Sequence, residues 1–101
     1  MSMNLNLCAT REVIVKKTGK PSVQYAKFDL IQTPTEVTYK IMESKNIFEA
    51  YKEYVLTLVD KTDTKENQEL RLYDLNDILD STEAWMKHRE EAGYTLEFYV
   101  M

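Results

Sequence analysis

His88 and Cys8 are the two side chains of this chain whose ordinary chemistry includes proton transfer or nucleophilic attack near neutral pH. Each needs a partner to do either. On a helix His88 would have Trp85 and Glu91 three residues away and Ala84 and Ala92 four away, so only Glu91 could orient it. Cys8 stands between Leu7 and Ala9 in a strand-like stretch, a setting in which cysteine is ordinarily a packed and inert thiol. Neither belongs to a constellation, and the expectation is a protein without a catalytic site. One cysteine and one histidine also fall short of a four-ligand zinc set. Asp60, Asp63 and Thr64 lack the glycine and the terminal glutamate of a calcium loop, so no metal and no cofactor is expected.

Charged side chains offer binding chemistry instead. Asp74, Asp77, Asp80 and Glu83 recur every three residues, with Glu90 and Glu91 further on. At a helix start such acids favour the dipole by about 0.3 to 1 kcal/mol each when exposed. In the functional reading they are carboxylates spaced like phosphates, presented to a protein that normally grips nucleic acid. Lys16, Lys17 and Lys20, with Arg11 and Lys27 nearby and Tyr25 and Phe28 among them, could touch nucleic acid, although lysines around a turn also protect strand edges. Seven tyrosines complete the inventory, and Tyr99 and Glu97 fall on the polar side of the last strand-like segment, where a partner or a second copy could lie.

That segment, Tyr94 to Met101, has the clearest period in the chain. Tyr94, Leu96, Phe98 and Val100 alternate with Thr95, Glu97, Tyr99 and Met101, so one face is apolar and must be held in a sheet. Leu5, Leu7, Val13 and Val15 predict one long strand or two short ones interrupted near Thr10 and Arg11. Gly19 and Pro21 reverse the chain, and Val23 to Ile31 returns as a second strand. Thr33-Pro34-Thr35-Glu36 would serve as a helix start, but Val37, Tyr39 and Ile41 alternate with polar residues and predict a third strand, Glu36 to Met42. Asn46 to Asp60 carries Ile47, Phe48, Tyr51, Val55 and Leu58 at helical spacing behind an Asn46 cap, although Val55 to Val59 could begin a strand. Asp60 to Glu69 reads as a mobile polar loop and Glu69 to Tyr73 as a short strand. A second helix, capped by Asp74 or Asn76 and carrying Ile78, Leu79, Trp85 and Met86, stops at Gly93.

The predicted architecture is a single α+β domain over 1–101, an antiparallel sheet of about five strands with two helices on one face, in the order β-β-β-α-β-α-β. Its core joins the two helix stripes, with a buried Trp85, to Leu5, Val13, Val15, Phe28, Leu30, Leu96 and Phe98. At 101 residues, 44% hydrophobic and 30% charged, the chain can bury one modest core. A single cysteine, no long apolar run and no leader pattern predict an unprocessed, soluble protein of a reducing cytoplasm. Residues 1–43 balance six bases against four acids, +2, while 44–101 set seven bases against thirteen acids, −6. The net charge of −4 disfavours general binding to a phosphate backbone.

Phe28-Asp-Leu-Ile-Gln-Thr-Pro-Thr-Glu-Val-Thr-Tyr-Lys-Ile-Met42 and Glu49-Ala-Tyr-Lys-Glu-Tyr-Val55 resemble small accessory proteins of tailed bacteriophages. The resemblance covers about half of the chain and carries no catalytic motif. It implies a compact protein made in infected bacteria that binds a host protein or ribonucleoprotein complex, for example an anti-CRISPR or anti-restriction inhibitor acting by blockade. The alternative is a small nucleic-acid-binding regulator that uses the basic hairpin.

Overall fold

A computed structural model describes residues 3–101. Leu5–Ile14 (β1) and Pro21–Phe28 (β2) form a hairpin whose turn needs the left-handed backbone of Gly19, φ 66°. Three helices follow, Thr35–Glu43 (α1), Ile47–Val55 (α2) and Lys65–Glu91 (α3), and the chain closes on Thr95–Val100 (β3). The sheet is antiparallel in the order β2-β1-β3. Gly93, φ 87°, stops α3 and turns the chain into β3, as its position predicts.

The fold is therefore α+β, but with three strands and three helices instead of five and two. The expected strand over Glu36 to Met42 is α1. Val37 and Ile41 lie one turn apart and face α2 together, Ile41 being 3% exposed, while Tyr39 points outward. Pro34 supplies the pre-set φ before the first turn, and its carbonyl accepts from the Thr38 amide at 2.9 Å. Buried Thr38 also returns its hydroxyl to the Pro34 carbonyl, 3.0 Å away. The few tenths of a kcal/mol that β-branched residues cost a helix are outweighed by about 1.5 to 3 kcal/mol for each aliphatic side chain buried.

Glu69 to Tyr73 is no strand, and α3 does not wait for Asp74 or Asn76; it begins at Lys65, where the Thr64 hydroxyl accepts from the Asn67 amide at 3.2 Å. Apart from Asn67, the first two turns are filled by Lys, Glu, Gln, Leu and Arg, all strong helix formers, and a polar helix surface looks like a loop when no apolar stripe has yet begun. Leu75, Leu79 and Thr82 are the buried positions of that stripe, and Leu70 (59% exposed) lies off it. The real loop lies earlier, over 56–64; in it the exposed Asp60 carboxylate takes the Thr62 hydroxyl and amide, which hold its pKa below the usual value. Asn46 caps α2 as expected, its side chain accepting from the Glu49 amide at 3.1 Å, but α2 ends at Val55 and no strand follows.

Leu5, Ile41, Tyr51, Val55, Leu75 and Leu79 make the core, so it lies between the three helices and the end of the sheet where β1 begins. Tyr51 is fully buried, its hydroxyl accepting from the Ile31 amide at 2.9 Å, and burial raises its pKa. Two positions assigned to the core are exposed. Val15 lies beyond the end of β1, and Ile78 points away from the α3 stripe. Trp85 is half-buried at the margin, its ring 5.3 Å from that of Phe28. No helix among the described residues is long and apolar enough to cross a membrane.

Candidate functional site

Register decides what the sheet shows on each side. Leu5, Leu7 and Ala9 of β1 pair with Val100, Phe98 and Leu96 of β3, and this face meets the helices. Asn6, Cys8 and Thr10 point the other way, flanked by Lys27 and Tyr25 of β2 and by Tyr99, Glu97 and Thr95 of β3. No element of the described chain covers that second face. Tyr25 (58% exposed) and Val23 (66%) are open on it, and the Tyr25 and Tyr99 hydroxyls meet at 3.3 Å across β1. Cys8 beneath them is buried, and burial first, then the Glu97 carboxylate, pushes its thiol above the usual value. A thiol so disposed is a poor nucleophile. His88 is exposed on α3, on the far side of the sheet from Cys8, so the two form no dyad.

The acidic candidates do not form one patch. Each three-residue step on a helix advances about 300°, so Asp74, Asp77, Asp80 and Glu83 wind half-way round α3 and Glu83 faces oppositely to Asp74. Tyr99 and Glu97 lie on the open sheet face, away from all four. Glu83 does join something else. Together with Met86, Lys87, Glu90 and Glu91 of α3 and Phe48 of α2 it lines a cleft of about 380 Å³. Phe48 and Met86 are its apolar floor, and three carboxylates and one ammonium form the rim. Helical spacing of 83, 86, 87, 90 and 91 was legible along the chain; that Phe48 would supply the facing wall was not, because α2 and α3 meet only in the tertiary structure.

Lys16, Lys17 and Lys20 are exposed in the turn between β1 and β2, closed by the Val15 amide on the Lys20 carbonyl at 2.9 Å. β3 pairs with β1 only as far as Thr10, whereas β2 pairs to Ile14. The last third of the hairpin thus runs past the sheet as a two-stranded arm with three lysines at its tip. At its root Arg11 donates to the Ala92 carbonyl (2.7 Å) and to Gln24 (2.6 Å). Its guanidinium lies 4.6 Å from the Tyr94 ring centre, and that of Arg89 lies 5.1 Å from the same ring. These stacked arginines, which spacing did not single out, tie the arm to the end of α3. Among the described residues no group of three potential metal ligands occurs. Compared with protein-family models, curated proteins and solved structures, the chain matches none, and its functional reading stands on its own residues.

Proposed function

We propose that this chain is a non-enzymatic protein-binding module that takes up a basic segment with an apolar anchor, and that the cleft between α2 and α3 is where it does so. The observation that carries the reading is the pairing of an apolar floor, Phe48 and Met86, with a rim of Glu83, Glu90, Glu91 and Lys87. Apolar contact supplies affinity, methionine adapts its shape to the incoming side chain, and the carboxylates select positive neighbours. A host protein or ribonucleoprotein complex with such a segment would be blocked by occupation, in keeping with the phage resemblance. That resemblance itself lies on the end of β2, α1 and α2, elements that build the core, and so bears on fold more than on partner.

A short amphipathic peptide of leucine and lysine is the probe. It should shift the Met86 methyl resonance and bind about tenfold more weakly to the E83Q/E90Q/E91Q variant, a loss of about 1.4 kcal/mol. If a peptide with serine in place of each leucine binds equally well, or the triple variant binds unchanged, the reading fails.

The lysine-tipped arm favours a second reading, contact with nucleic acid, since a two-stranded ribbon fits the major groove of a duplex. Its signature is retention on DNA or RNA that weakens steeply with salt and is lost in K16E/K17E/K20E. Salt-independent retention, or retention by the variant, rejects it.

A further inference from the structure

An antiparallel sheet that leaves one face to water normally turns polar side chains outward. Here the uncovered face shows Val23 and Tyr25 with more than half of their surface exposed. Its charges are arranged as well as its apolar groups. Lys27 and Glu97 are both registered against Cys8, one on each side of the central strand, about 10 Å apart at the usual strand spacing. The only ion pair among the described residues is Lys52 with Glu49, so neither has a charged partner. One row along, Thr10 has bulky Tyr25 on one side and small Thr95 on the other.

Consider two such faces stacked about a two-fold axis that runs along β1 in the plane between them. The rotation carries β2 of one copy over β3 of the other. Lys27 then lies over the partner copy's Glu97 and Tyr25 over its Thr95, and each contact occurs twice. An axis across the strands would instead set like charges over each other. We propose that the uncovered sheet face is a homodimer seam, occupied by a second copy of this chain in an aligned sandwich about the axis along β1.

β3 pairs with β1 over six residues, so the three-stranded part of the face presents roughly 14 by 20 Å. Side-chain relief brings this to about 400 Å² of accessible surface per copy, some 800 to 900 Å² in all, the size of weak and transient contacts. The dimer is therefore weak. Past Thr10 β3 has stopped, so Glu12, the Val23 opposite it and the lysines of the arm approach their counterparts in the second copy with water between them, which screens the charges. The helical cleft faces away and remains open on both copies.

Sedimentation equilibrium between about 1 and 500 μM tests the seam, a range that reaches weak self-association. The wild-type chain should pass from monomer to dimer. K27E and E97K, both at exposed positions, should each weaken the dimer about tenfold or more, and K27E/E97K should restore it. Mixing the two single variants should yield a heterodimer, because every facing pair is then opposite in sign. A wild-type chain that stays monomeric throughout, a double variant as weak as the singles, or singles that dimerise like wild type would overturn the proposal. None of these measurements involves the cleft, so the seam and the peptide site stand or fall separately.

Discussion

Tyr25 and Tyr99 reach toward each other over the central strand and cover the thiol of Cys8, which is 5% exposed on a face that no helix protects. Two rings thus stand in for the missing layer at that point. The hydroxyl contact, with Tyr99 as the larger cause and loss of water the smaller, pushes the Tyr25 pKa up to about 12. Folding therefore makes Tyr25 hold its proton more tightly than the unfolded chain does. The stability linked to it is fully present below the ordinary tyrosine pKa of about 10 and fades as pH rises toward about 12. Absorbance titration should show Tyr25 ionising late alongside buried Tyr51, and Y99F should return Tyr25 toward the ordinary range while letting a thiol reagent reach Cys8 at least severalfold faster. An unchanged titration and unchanged thiol rate in Y99F would mean that the two rings are independent. At this scale the sequence was informative about type and silent about pairing: a buried, inert Cys8 and an outward Tyr99 follow from burial tendency and period two, but the Tyr25 to Tyr99 contact depends on which strands flank β1.

Among the elements, the hairpin, the Asn46 cap, the Gly93 stop and β3 were all readable, because each is announced by local chemistry: a glycine that takes positive φ, a side chain that accepts an amide, a strict alternation. α1 and the first turns of α3 were not. In α1, period two and a helical stripe share Val37 and Ile41, and only packing against α2 chooses between them. In α3 the first buried residue, Leu75, comes ten positions after the helix starts, so its opening has a cap and good propensity but no periodic signal. The two readings of this segment differ in a measurable way. As a strand, Leu70 and Leu72 would face a core together; as a helix, Leu75 is buried and Leu70 is open. In urea unfolding, L75A should cost about 2 to 5 kcal/mol and L70A less than about 0.5 kcal/mol. Comparable losses at both positions would contradict the helix.

The whole molecule is elongated, 60 by 29 by 24 Å with a radius of gyration of 16.9 Å, where about 13 Å is usual for a compact domain of this length. A 27-residue helix about 40 Å long sets that length. The hairpin arm hangs from its C-terminal end, through Arg11 on Ala92, and most of the acids from Asp60 to Glu83 lie toward the other. The charge asymmetry counted along the sequence thereby becomes an asymmetry in space, basic at the arm and acidic at the helix start. From its own residues the sequence determined an acidic α+β domain closed by a terminal strand, one face of that strand polar, with the turns and caps that need particular residue types. These are local properties, written in periods and single side chains. The number of strands, the pairing of the tyrosines over Cys8, the cleft between Phe48 and Met86, and the row in which Lys27 and Glu97 flank one central residue were decided only by the tertiary structure. Each joins residues distant along the chain, and contacts of that kind are selected by the burial and register of the whole fold, which no local pattern encodes.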